Sequence, residues 1–457
     1  MRKIILQQPS IVETTGNHQH TAELRKIDEI LRSLPGIAAL VHEDLVRGLI
    51  NPRTGRRGNL TADQVVRVLQ VKQMNGFSYE ELAFHLADSK TYRAFCGIGF
   101  TDKVPKSSIL QRDIKKIRPE TLEQINMLIL GKAKDEGIEK GRQVRIDCTV
   151  VQTNIHHPTD SSLLNDSVRV LARIMDAAKE SFEVNFIFAD HRRRAKKRAL
   201  EILNAKSQNQ RLKPYKDLLR ITSQTVNYAE EAATALALVM RMKSGEPDIF
   251  GAARGTAREL SHYVELAKKV IEQTERRVVK QEQVPAQQKV VSIFEPHTDI
   301  IIKDRRDTCY GHKVVLTGGV SGLFTDMRVL DGNPADSTLA LEMVQRQQMI
   351  FDQVPLKAAF DGGFASKANL NQIKDLGVRD VTFRKKRGLD IAEMAKSTWV
   401  YKRLCDFRAG IEGMISFLKR CFGLRRCNWQ GYGSFKSYAW ASVISANLLL
   451  LARHMLA

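Results

Sequence analysis

Between residues 60 and 136 apolar positions recur at intervals of three and four, the signature of helices with one buried face. Thr61 is placed to cap a helix carrying Val65, Val66, Val68, Leu69 and Val71, and Gly76 ends it. Ser78 with Glu81 forms a capping box for the next helix, and a third short one follows Ser89. Ser107 or Ser108 caps a further, basic helix, and Glu120 to Ala133 continues the pattern. After a polar leader, this predicts an all-helical domain, bounded at 1–140. Short helices with basic faces suit a helix-turn-helix that reads DNA, although bundles of this kind also serve as plain scaffolds.

The period changes at QVRIDCTVV, Gln143 to Val151, which reads as a buried strand rich in β-branched residues. Helical periodicity then returns from about Leu163 to Gln288, with clear breaks expected only at Pro214 and in the GEPDIFGAARG stretch. Strand patterns resume with VVSIF, DIIIK, HKVVLTGGV, LFTDMRVLDG, PLKAAFDGG and VRDVTFRKK. Gly318, Gly319 and Gly322 mark a hairpin turn. The organisation expected is an α/β core of residues 141–162 and 289–457, interrupted by a helical insertion at 163–288. One last helix carries Ile411, Met414, Ile415, Leu418 and Phe422 as an apolar stripe at azimuths of about 240° to 340°, and Gly423 stops it.

Charge sharpens the picture. The 457 residues carry a formal net charge of +21 with a pI near 9.7, so the surface attracts polyanions, nucleic acid first among them. No apolar run approaches the roughly 20 residues that cross a bilayer, Asn447 to Leu451 being far too short. The opening residues show no signal peptide, which predicts a cytoplasmic protein. Six scattered cysteines without a CxxC pair predict reduced, mostly buried thiols. Arg192, Arg193, Arg194, Lys196, Lys197 and Arg198 concentrate six cations in about two helical turns of the insertion, either as a solvated face or as a contact to phosphate backbones.

The candidate chemistry rests on three carboxylates. Asp147 sits in the middle of the first strand, on the same side as Arg145 and Thr149, and a buried aspartate there needs a partner or a metal. Asp361 ends a later strand just before Gly362 and Gly363, at the edge where α/β sheets collect ligands. Arg408, Glu412 and Lys419 share one helix face, at azimuths of about 0°, 40° and 20°. A glutamate between two cations suits a metal-bound carboxylate beside phosphates, the plain alternative being a surface ion pair. Two aspartates and a glutamate supply the oxygen ligands that two Mg²⁺ ions need for phosphodiester displacement. His156, His157, Asp160 and Asp166 are dense but read as structural or DNA-contacting residues, because adjacent histidines do not make a helical ligand pair.

Over most of its length the sequence resembles insertion-sequence transposases with an Asp, Asp, Glu triad on an RNase H-like fold, and within them the ISNCY group. The residues that carry the resemblance are LTADQVVRVLQVKQMNGFSYEELAFHLADSKTYRAFCGI, RIDCTVVQTNIHHPTDSSLLNDSVRVL, GHKVVLTGG with DGNPADSTL, AAFDGGFAS and RAGIEGMISFLKRCFGL. The family's two aspartates fall on Asp147 and Asp361 and its glutamate on Glu412. Its Arg and Lys signature positions fall on Arg408 and Lys419, whereas the signature Tyr falls on Cys405.

The resemblance implies a DNA transposase that binds the terminal inverted repeats of its element, cuts with two Mg²⁺ ions or with Mn²⁺ in their place, and joins 3′ ends to target DNA. It implies that Asp147, Asp361 and Glu412 ligate the metals, that Arg408 and Lys419 hold phosphates, and that a homodimer brings two double-stranded DNA ends together. The rival readings are a nuclease of the same fold that cuts without joining, and a non-catalytic DNA-binding regulator.

Overall fold

A computed structural model describes residues 18–48, 60–99, 101–182, 184–303, 307–384 and 387–457. The first 17 residues, on which the reading of no signal peptide rests, lie outside them. The described chain divides into two compact units, one of residues up to Asn154 with His312–Ala457, the other of Ile155–Gly311.

The first unit opens with helices α1 (Gln19–Ser33), α2 (Gly36–Val46), α3 (Ala62–Asn75), α4 (Tyr79–Asp88), α5 (Lys90–Phe95), α6 (Ser107–Ile114) and α7 (Pro119–Asp135). Thr61 caps α3 in a reciprocal box with Gln64, and Gly76, at φ +67°, ends it in the left-handed conformation that glycine adopts without strain. Ser78 and Glu81 box the start of α4, and Ser89 caps α5. The α6 expectation is off by one: Lys106 holds the extended cap conformation, so Ser107 and Ser108 already lie inside the helix. Helices α1 and α2 lie in the stretch read as a polar leader. Their apolar positions, Leu24, Ile27, Ile30, Leu31 and Val41, are buried in the same core as α3.

Strand β1 (Gln143–Thr153) follows, and the chain then enters the second unit: α8 (Asp160–Phe182), α9 (Arg192–Asn204), α10 (Gln208–Met242), α11 (Pro247–Thr274) and β2 (Asp299–Lys303). Leu164, Leu171, Met175, Leu218, Val226, Leu260 and Val270 form its core. Pro214 does not break the chain. It lies in the second turn of α10, where it forfeits one backbone bond while Tyr215, Leu218 and Leu219 beside it are buried. The Gly-Pro stretch breaks only at Lys243–Glu246, and Pro247 opens α11. VVSIF is not a strand: Gln273 donates to the Val290 carbonyl at 3.1 Å and accepts from its N–H at 2.9 Å, so a side chain replaces the ladder.

The rest of the chain supplies β3 (Asp307–Gly318), β4 (Phe324–Val329), α12 (Ala340–Phe351), β5 (Lys357–Phe360), α13 (Lys367–Asp375), β6 (Asp380–Phe383), α14 (Ile391–Met394), α15 (Thr398–Cys421), β7 (Arg426–Cys427) and α16 (Tyr432–Leu456). The sheet is mixed, as expected for the α/β core. β1 runs parallel to β5 and β5 to β6, whereas β3 pairs antiparallel with β4 across the glycine turn. In the first unit one face of the sheet shares a hydrophobic core with α1 to α7 and α16, so the helical start and the strands are packed together. The other face packs against α12 and α13. Helix α16 is long and apolar enough to cross a membrane, yet 72% of its most apolar window is buried inside the protein. Asn447 in its middle donates to Asn126 and the Phe324 carbonyl, both at 2.8 Å, and accepts from the Phe324 N–H at 2.9 Å, which is how a core helix satisfies a buried amide.

Candidate active site

The parallel register of β1 and β5 closes the long sequence gap between the two aspartates. Ile146 lies opposite Phe360, so Asp147 and Asp361 are the next residues on adjacent strands. Asp361 keeps extended backbone at the end of β5, and the chain then turns through Gly362–Phe364. Helix α15 lies against β1, β5 and β6. Arg145 fastens it two residues before Asp147: its guanidinium stacks 4.6 Å from the Phe407 ring and donates to the Phe407 and Gly319 carbonyls at 3.0 and 3.3 Å. A Cβ at Gly410 would collide with the Arg145 guanidinium unless that side chain shifted.

Arg408, the residue after Phe407 on α15, is 4% exposed, and one guanidinium serves all three carboxylates. It donates to Asp147 Oδ2 at 2.7 Å and to Glu412 Oε1 at 2.8 Å, and lies 3.2 Å from Asp361 Oδ1. The two aspartate oxygens share one nitrogen, which holds them within about 6 Å of each other. Asp147 is half-buried and also accepts from the Cys148 N–H at 2.8 Å. Burial pushes its carboxyl above the usual range; the Arg408 charge and the backbone bond pull it back, and Asp361 and Asp336 push it up again.

The expected phosphate contact of Arg408 thus meets a buried group already engaged by carboxylates, while Lys419 lies half-buried two turns beyond Glu412 on the same helix. Cys405, at the signature tyrosine's position, is half-buried beside Tyr401, whose hydroxyl donates to the Phe383 carbonyl at 2.9 Å; burial raises that phenol to about 12.

Two residues at the site were not singled out from the sequence. Asp336, in the DGNPADSTL segment, pairs with Lys313 at 2.5 Å and lies against Gly363, where any Cβ would collide with it. Arg384, just past β6, contacts Glu412 Oε1 at 3.3 Å. Only the pairing of β5 with β6 brings it there, through its N–H to the Phe360 carbonyl at 3.2 Å.

In the second unit the cationic run of α9 divides by its ion pairing. Arg192 pairs with Asp176 and Asp190, both at 2.8 Å, and Arg194 and Arg198 both bond Asp217 at 2.7 Å. Arg193, Lys196 and Lys197 are exposed and line a shallow groove with Leu200. In the dense His-Asp segment, His156 lies 3.6 Å from Asp166, and Asp160 pairs with Arg277 at 2.8 Å. Among the described residues no cysteine forms a disulfide: Cys96 and Cys427 are buried, Cys148, Cys309 and Cys405 half-buried, and Cys421 exposed.

Three carboxylates, two from adjacent parallel strands and one from a helix, thus converge on one buried cation. Residues 15–116 match the model of a Transposase domain (DUF772), and residues 295–448 match that of a Transposase DDE domain. The chain belongs to the insertion-sequence DDE transposases and is a transposase enzyme that acts on DNA. It is also similar to "Uncharacterized protein ORF8 in nfe locus" of Rhizobium meliloti, 27% identical over 186 residues, which cover 39% of this chain and 87% of that protein. No solved structure matches it.

Proposed function

We propose that this transposase binds the terminal inverted repeats of its own element, cleaves at their ends by metal-dependent phosphodiester hydrolysis, and joins the resulting 3′ ends to target DNA as a homodimer. The observation that carries this reading is the sharing of one guanidinium by Asp147, Asp361 and Glu412. Among the described residues no three ligating side chains are already arranged as a metal site. The donor set nevertheless fits one, since it consists of carboxylate oxygens that converge on a positive group, the ligands a hard divalent ion takes. Asp147, Asp361 and Glu412 would hold Mg²⁺ or Mn²⁺, which when bound as a pair supplies Lewis-acid stabilisation of the attacking and leaving oxygens.

The chain's own residues do the rest. Arg145 and Arg408 hold α15 against β1 so that the glutamate stays in reach of the aspartates. Arg408 offsets the mutual repulsion of the carboxylates, a positioning role in place of a phosphate contact. Helices α3 to α7 and the exposed cations of α9 are the proposed DNA-binding surfaces, the first for recognising the repeats and the second for backbone affinity.

Glu412→Gln tests the reading. It preserves size and removes the charge, so binding to a duplex copied from the DNA flanking the gene should persist while Mg²⁺-dependent nicking falls at least about 100-fold. Near-normal nicking by the variant would reduce Glu412 to an ion-pair residue. Strand transfer assayed with pre-cut 3′ ends separates a transposase from a nuclease.

A further inference from the structure

The metal ions that the three carboxylates would hold draw a DNA phosphate to this centre, and a protein cation on the open side would fix its remaining oxygens. The cations of this centre are not equally available. Arg408 is buried and bonded to the carboxylates. Arg145 is buried, stacked on Phe407 and donating to two carbonyls. Lys313 is held by Asp336 and by the Pro334 carbonyl at 2.7 Å.

Arg384 differs from all three. Its side chain is 58% exposed, and its charged partner among the described residues is Glu412, itself exposed, at 3.3 Å. Such a pairing contributes little and is readily exchanged. A guanidinium has five donors in a planar fork that matches a phosphate, and one long bond leaves most of them for a ligand. Its backbone is fixed to the Phe360 carbonyl, one residue before Asp361, so the side chain emerges from the sheet edge that carries the carboxylates. Cys405, two turns before Glu412 on the same face of α15, offers only a thiol engaged with Tyr401, so this side of α15 has no competing donor at that position.

We propose that Arg384 is the phosphate-binding residue on the open side of the catalytic centre, its guanidinium receiving the non-bridging oxygens of a DNA phosphate beside the bond to be cut. On arrival of the DNA the guanidinium exchanges Glu412 for the phosphate. The proposal rests on the transposase reading and deepens it by naming the residue that seats the substrate.

The test uses the full chain, as wild type, Arg384→Gln, Arg384→Lys, Glu412→Gln and the Arg384→Gln/Glu412→Gln double variant. Affinity for a fluorescent duplex copied from the DNA flanking the gene is measured across salt concentrations, together with nicking of supercoiled plasmid in Mn²⁺. Giving up the neutralisation of one phosphate flattens the slope of log affinity against log salt by about 0.9. The glutamine variant should show that flattening and need at least about fivefold more DNA for half-maximal nicking, with a maximal rate within about threefold of wild type. The lysine variant should recover most of the slope, because a point charge still neutralises a phosphate.

In the double variant the same flattening must appear against Glu412→Gln alone, a readout independent of catalysis. An unchanged slope and half-saturation with a lower maximal rate would overturn the proposal, since Arg384 would then act only by steadying Glu412. If wild type neither binds nor nicks these DNAs, the transposase reading itself fails and this inference falls with it.

Discussion

Replacing Arg408 by Met keeps the aliphatic stem and removes the one charge that Asp147, Asp361 and Glu412 share. The bond to Glu412 reaches an exposed carboxylate and is worth at most about 1 kcal/mol. The bond to Asp147 carries the weight, because removing one partner of a largely buried pair strands the other and costs about 3–5 kcal/mol. Part of that is relieved by proton uptake. Asp147, whose carboxyl burial already raises, gains stability at low pH and loses it as pH rises through the raised value, so the penalty of Arg408→Met should shrink as the solution is acidified.

At neutral pH with a chelator present, a net loss of about 3 kcal/mol is expected. For a unit of this size, at roughly 2 °C per kcal/mol, that lowers the melting temperature by about 6 °C. Thermal unfolding followed by circular dichroism, with chelator and then with millimolar Mg²⁺ or Mn²⁺, reads both parts. The divalent ion should raise the variant's melting temperature more than the wild type's, because it no longer competes with an internal guanidinium. A variant melting within about 1 °C of wild type in chelator, or gaining no more from the ion, would refute the view of Arg408 as the internal counter-charge.

Two further outcomes follow from the second unit. Neutralising Arg193, Lys196 and Lys197 to Gln should weaken random and terminal-repeat DNA alike and flatten the salt dependence by about 0.9 for each phosphate no longer neutralised, whereas neutralising Arg192, Arg194 and Arg198 should mainly lower thermal stability; electrophoretic and anisotropy titrations would count against this division if both triples behaved the same. Burial opposes ionisation of Asp217, but hydrogen bonds from Arg194, Arg198 and Arg220 outweigh it and hold the carboxyl well below the ordinary range. Its stabilising effect is therefore full above about pH 4 and fades as pH falls through the depressed value. The melting difference between wild type and Asp217→Asn should shrink steadily on acidification below that point, and a difference that grew instead would contradict the sign.

Much of this protein follows from local rules acting over a few residues. Thr61, Ser78 and Ser89 cap their helices, and Gly76 and Gly423 stop theirs, because the chemistry of a helix end is satisfied within one turn. The alternation of β1 and the wheel of α15 likewise put Asp147 in a strand and Arg408 and Glu412 on one helix face. The sequence alone also marked Asp361 at a strand end.

What it left open are the meetings between segments far apart along the chain. The wheel shows that Arg408 and Glu412 share a face, but only the packing of α15 over β1 and β5 turns that arginine inward to the aspartates. Arg384 reads as one cation among several in FRKKRG until β6 pairs with β5 and sets it beside Glu412. The cations of α9 look equivalent until Asp217 on α10 pairs with Arg194 and Arg198. Periodicity records which side of an element is buried, whereas the partner that meets it depends on the register and packing of elements whose positions no local pattern encodes.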